Sequence, residues 1–185
     1  IDKFSLERVQ KAGAVFDHEK LDWLQGQWMR KLTPEEFVTR LKPFLENDLP
    51  AALRDPQLIA RATLIQDRLT LLSEAPDMLR FFYEEPKITM ELLANSKQKL
   101  TPELVKEILP QVRVILEGID PKDWNRATLE EKLRALMESK GYKLGQILWP
   151  LRAALTGKPY SPGAFEVAEA LGKGKTLERL GKIVA

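Results

Sequence analysis

Trp149 and Arg152 stand three residues apart in an apolar run of helical spacing, followed by a turn at Gly157 and Pro159 and a second helix start at Ser161-Pro162-Gly163-Ala164-Phe165. At that spacing the two side chains share one helix face, while Ile147, Leu148 and Leu151 occupy a face that can be buried. An indole supplies a flat stacking surface, and a guanidinium supplies a planar fork of donors suited to base edges or phosphate. The second helix start adds backbone N–H groups without intrahelical partners and a partial positive charge. Stacking, a donor fork and main-chain donors together suit single-stranded RNA, because a splayed base offers a π-face and an unpaired edge. The bland alternative is a Trp and a Phe buried in a helix–turn–helix corner.

Other chemistries find little support. The 185 residues contain no cysteine, which excludes disulfides, thiolate metal sites and cysteine nucleophiles. His18 is the single histidine, so a histidine-based triad and a multi-histidine metal site are excluded as well. His18 follows Asp17 at a helix start and has no titrating partner nearby, which makes it a poor general base. Glu84-Glu85 and Glu130-Glu131 are paired along the sequence rather than across a helix face, and they read as helix-end residues. Gly172-Lys173-Gly174-Lys175-Thr176 ends like a phosphate-binding loop, but that pattern needs a glycine where Glu169 stands and a strand before it. No catalytic residue, cofactor site or metal site is therefore expected.

The net charge of +2 hides an asymmetry. From Lys140 to Ala185 eight Lys or Arg face three Glu, a local excess of +5, and the rest of the chain carries −3. Such a segment reads either as a polyanion-binding patch or as a solvated helix face.

The elements that must position these residues are helical. Leu21, Leu24, Trp28 and Leu32 repeat at intervals of three and four, as do Phe37, Leu41 and Phe44, and then Leu58, Ala62, Ile65, Leu69 and Leu72. Strand-like alternation is missing. Thr33-Pro34-Glu35-Glu36 and Thr128-Leu129-Glu130-Glu131 read as capping boxes, and Thr101-Pro102 and Ser161-Pro162 as further helix starts. Pro50, Pro56, Pro86, Gly118, Gly141, Gly157 and Gly172 mark stops, which predicts an all-α, two-part bundle or cage of about ten short helices. The polar run Asn95-Ser96-Lys97-Gln98-Lys99 is the expected boundary, giving one helical subdomain over 1–97 and a second over 98–185. No apolar run is long enough to span a bilayer, and the start Ile1-Asp2-Lys3-Phe4 reads as a cut from a longer chain.

Pro150-Leu151-Arg152-Ala153-Ala154-Leu155-Thr156-Gly157, Ser161-Pro162-Gly163-Ala164-Phe165-Glu166-Val167 and Leu171-Gly172-Lys173 resemble the C-terminal end of bacterial glutamyl-tRNA synthetases. Phe4-Ser5-Leu6-Glu7-Arg8-Val9, Ala14-Val15-Phe16-Asp17 and Lys20-Leu21-Asp22-Trp23-Leu24-Gln25-Gly26-Gln27-Trp28-Met29-Arg30 are similar to that family's stretch after the catalytic domain. The resemblance implies an α-helical cage that binds the anticodon loop of tRNA-Glu, acting as a cytoplasmic monomer without membrane contact. It places Trp149, Arg152, Ser161, Pro162, Ala164 and Phe165 on positions that approach the first two anticodon bases. Ser161 stands where threonine is expected and Ala164 where leucine is common. Ile65-Gln66-Asp67-Arg68-Leu69-Thr70-Leu71 is similar to the family's "Arg-x-x-Thr-Leu" stretch and puts Arg68 on the arginine that reads the third anticodon base, with Arg61 and Arg80 as alternative counterparts. An arginine there goes with enzymes that distinguish tRNA-Glu from tRNA-Gln.

The family's His-x-Gly-His and Lys-x-Ser-Lys elements, which handle ATP, do not occur in these residues. The resemblance thus implies a fragment that is inactive alone, with no cofactor of its own. Glutamate activation by ATP and Mg²⁺ and transfer to tRNA-Glu would belong to a parent glutamate–tRNA ligase, on a Rossmann-type domain before Ile1. A helical protein–protein interaction module derived from a synthetase is the alternative reading.

Overall fold

The structure is a computed structural model and describes residues 15–184. Nine α-helices follow one another among the described residues: α1 (His18–Met29), α2 (Pro34–Asp48), α3 (Leu58–Gln66), α4 (Ala75–Leu79), α5 (Met90–Leu93), α6 (Pro102–Glu117), α7 (Arg126–Lys140), α8 (Leu144–Thr156) and α9 (Ala164–Val184). Short 3₁₀ segments join several of them, and the described residues contain no strand, only an isolated bridge between Asn95 and Leu100. The all-α expectation holds. The match carried by Phe4-Ser5-Leu6-Glu7-Arg8-Val9 and by Ala14 lies outside the described residues.

Local chemistry accounts for most helix starts. Thr33 accepts from the Glu36 N–H while Glu36 reaches back to the Thr33 N–H, so the capping box satisfies two otherwise orphan donors before Pro34. Thr101 caps α6 in the same position relative to Pro102. Two expected starts are displaced. Asn125, not Thr128, caps α7 and accepts from the Thr128 N–H, because an Asx side chain three residues upstream claims the cap first. Ser161 does not cap α9 either: its hydroxyl donates to the Pro162 carbonyl, and the helix begins at Ala164. Gly141 and Gly157 end α7 and α8 in the left-handed conformation. Gly172, also at positive φ, breaks α9 into two segments.

Apolar faces then close on one another. Phe37, Leu41 and Leu45 of α2 pack on Leu58, Ala62 and Ile65 of α3. Val105, Ile108, Leu109, Val112 and Leu116 of α6 meet α8 and α9 through Leu151, Leu155, Val167 and Leu180. Each such side chain contributes about 1.5–3 kcal/mol when fully buried. Periodicity misleads at two places. Leu21, Leu24 and Trp28 form an apolar stripe on α1 that is exposed, and α3 stops at Gln66, so Leu69 is buried from the following turn rather than from the helix.

Polar ties join the first five helices to the last four. Arg61 donates to the Ala170 carbonyl at 3.4 Å, Lys158 pairs with Asp77, and Arg179 reaches the Phe81 carbonyl at 2.6 Å. Much of the C-terminal basic excess is spent inside the fold. Lys173 donates to the carbonyls of Glu117 and Ile119 at the end of α6, and Lys175 and Lys182 bridge Glu85 and Glu178. Thr176 is buried and bonds the Ala168 carbonyl. The segment that ends like a phosphate loop is thus helix scaffolding, and the broad basic patch narrows to a few side chains.

Candidate nucleic-acid interface

Arg68 sits on the turn after α3, and three contacts fix that turn. The buried Gln66 amide donates to the carbonyls of Met29 and Leu32, which ties α3 to the end of α1. Arg30 donates to the Asp67 carbonyl at 2.9 Å. Glu74 accepts from the backbone N–H groups of Thr70 and Leu71. The Arg68 side chain is exposed at the rim of a hollow of about 650 Å³ that Tyr160 and Ser161 close from the other side. The two alternative arginines both have acidic partners. Arg61 is paired with Asp55 at 2.9 Å and stacked over Phe82 and Tyr83, and Arg80 is paired with Glu84 at 2.7 Å. Arg68 carries no such carboxylate pairing among the described residues.

Trp149 and Arg152 act as a unit on α8. The indole N–H donates to the Leu92 carbonyl of α5 at 3.1 Å, which locks the ring, and the Arg152 guanidinium lies 4.8 Å from the ring centroid. Arg152 Nη2 also donates to the Pro159 carbonyl at 3.0 Å, so the guanidinium bridges the helix and the α8–α9 turn. Its buried Nε has no partner. Burial, and then the neighbouring Arg68 charge, pull the Arg152 guanidinium below its ordinary pKa. Like charges that act on one another favour an anion near them.

The remaining sequence-indicated residues lie on the same turn but deeper. Ser161, Pro162, Ala164 and Phe165 are buried, and the last two pack into the common core. Ala164 lines a hollow of about 210 Å³ beside Trp149 and Arg152, where leucine was expected. Sequence reasoning passed over Tyr160, which is 81% exposed at the tip of the turn. Its signal was present: an aromatic held between Pro159 and Pro162 cannot easily fold back into a core. Gly157 permits this turn, since its φ of +65° is one that side chains rarely adopt.

The fold is that of an all-α helical module. The family described as "Anticodon binding domain" matches residues 36–184, and the chain belongs to that family. Its relatives include the glutamate–tRNA ligase of Clostridium tetani, 36% identical over 181 residues, and that of Thermus thermophilus, 37% identical over 186 residues. These alignments cover 97% and 100% of this chain but 36% and 38% of the relatives, so the chain spans little more than a third of the curated relatives' length. A crystal structure of a glutamate tRNA ligase from Elizabethkingia meningosepticum in complex with its amino acid superposes with a TM-score of 0.76 at 25% identity. That superposition covers 98% of this chain and 35% of the other. No helix among the described residues is long and apolar enough to cross a membrane.

Proposed function

We propose that this chain is the anticodon-reading part of a bacterial glutamate–tRNA ligase and that it binds the anticodon loop of tRNA-Glu. The observation that carries the reading is the Arg152 guanidinium, stacked on Trp149 and within electrostatic reach of Arg68. A preorganised fork beside a second exposed cation is suited to the edge and phosphate of an unstacked base. In this reading Arg68 takes the third anticodon base, while Trp149 and Arg152 face the first two. Ser161, Pro162, Ala164 and Phe165 shape the turn that supports those contacts. Their burial favours backbone and surface contact with the bases over insertion of side chains.

The chain alone would not aminoacylate. Glutamate activation with ATP and Mg²⁺ would reside in the larger protein, and the fragment would act as a monomer in the cytoplasm, in helical subdomains spanning 1–97 and 98–185. Arg152→Ala tests the reading. Loss of a base or phosphate contact costs about 1–3 kcal/mol, so the affinity for a tRNA-Glu anticodon stem-loop is expected to fall about ten- to a hundredfold. Arg152→Lys keeps the charge but loses the fork, and should retain salt dependence while losing discrimination among loop sequences. Unchanged affinity in Arg152→Ala, measured by fluorescence anisotropy, would sink the proposal.

A further inference from the structure

Two of the four tryptophans stand in water on α1. Trp23 is 59% and Trp28 67% exposed, with Leu21 and Leu24 exposed beside them and Val15 and Phe16 exposed just ahead of the helix. Within α1 only Gly26 and Met29 are buried. Apolar side chains exposed singly need no explanation, but this many between Val15 and Trp28 form a surface that gains nothing for folding unless something covers it. Charge is confined to its rim, where the Lys31 ammonium lies 4.6 Å from the centroid of the Trp28 ring.

The inner side of α1 has a different task. Gly26 packs against the turn that carries Arg68, where a Cβ would lie 3.4 Å from the Leu69 carbonyl oxygen and 3.9 Å from the Thr70 Cα. Just beyond it, the Gln66 amide donates to the carbonyls of Met29 and Leu32, and Arg30 donates to the Asp67 carbonyl. These contacts bracket Arg68 from both sides along the chain. The last turn of α1 is therefore part of the mount of Arg68, while its outer side is left uncovered.

The matched anticodon-binding family begins at residue 36, so α1 stands outside that module. The Thermus thermophilus ligase nevertheless aligns with all of this chain, which covers only 38% of it. We infer that the α1 stripe is the seat for a part of the parent ligase outside this chain, and that α1 is the strut that carries this contact to the Arg68 turn. The occupant is an apolar protein face, since a stripe of indoles and leucines with charge at its rim has the anatomy of a protein–protein contact. A polyanion is disfavoured, because Asp17, Glu19 and Asp22 offset Lys20, Arg30 and Lys31. Seating the stripe fixes α1 and, through its last turn, the backbone that carries Arg68; by linkage, the loop-bound state favours the seated one in return. This inference rests on the ligase reading above.

The test uses this chain and the full parent ligase, each carrying 5-fluorotryptophan, with the two signals assigned by Trp23→Phe and Trp28→Phe. In this chain both fluorine signals should shift between H₂O and D₂O at every protein concentration, and in the parent ligase that shift should be lost. Equal shifts in the two proteins overturn the seat. Shielding already present in the dilute chain, or growing with its concentration, overturns it too, because the cover is then this chain itself or a second copy. The strut is read from binding of a tRNA-Glu anticodon stem-loop. Trp23→Ser combined with Trp28→Ser should weaken binding by the parent ligase about fivefold and leave binding by this chain within about twofold. Unchanged binding by the parent ligase overturns the strut. Arg30→Ala should weaken binding in both proteins and reduce the preference at the third anticodon base alone, whereas a uniform loss at all three bases would mark a merely structural role and overturn it. If Arg152→Ala abolishes the preference for the anticodon loop over a scrambled loop while the fluorine shifts are equal, the seat fails and the RNA reading survives. Absence of that preference in both proteins removes the RNA reading and the strut, and the fluorine shifts still decide the seat.

Discussion

Arg179→Ala should destabilise the chain by about 3 kcal/mol, because it removes a buried cation and leaves several carbonyls without their donor. Arg179 is 1% exposed, and its guanidinium donates to the carbonyls of Leu155, Phe81 and Glu84. These acceptors lie at the C-terminal end of α8 and on the segment after α4, so one side chain of α9 clamps both. Burial pulls its pKa down, while the charges of Glu85 and Glu178 pull the other way. A loss of this size corresponds to a fall of about 10 °C in the midpoint of thermal unfolding for a chain of this length. A fall of only about 2 °C would show that water replaces the clamp. Because Leu155 lies one turn beyond Arg152, the variant should also loosen the Arg152–Trp149 stack.

Gly157→Ala is expected to cost about 2–4 kcal/mol, combining a left-handed backbone with direct crowding. A Cβ at Gly157 would lie 2.7 Å from the Pro86 Cβ and 2.9 Å from the Lys87 carbonyl oxygen, whereas at Gly141, also at positive φ, it meets nothing within 4 Å. Gly141→Ala therefore isolates the conformational part, about 1 kcal/mol. Chemical denaturation of the two variants side by side checks the difference. Equal losses would mean that the Pro86–Lys87 segment yields at no cost. The extra cost at Gly157 has a functional side, since displacing the turn moves Pro159, the acceptor that orients Arg152, and with it Tyr160.

What the sequence disclosed follows from the range of each interaction. The helices at Thr33 and Thr101 were legible because their caps are completed within three residues. The start assigned to Thr128 was not, because Asn125 offered an equally local and earlier cap. The pairing of Trp149 with Arg152 followed from helical spacing. The engagement of Arg61 did not, since Phe82 and Tyr83 reach it from another segment. The α1 stripe shows the same limit: periodicity tells which residues share a face but not whether anything covers it. Arg179 and Lys173 read as surface charge in sequence, and long-range carbonyls turn them into scaffolding.

The central claim is that this corner reads an RNA loop by its bases. Titration of the chain with a tRNA-Glu anticodon stem-loop and with the same stem bearing a scrambled loop, each at low and moderate salt, tests it most directly. The account predicts at least about tenfold tighter binding of the anticodon loop, with affinity falling as salt rises. Equal affinity for the two loops, or binding insensitive to salt, would contradict it.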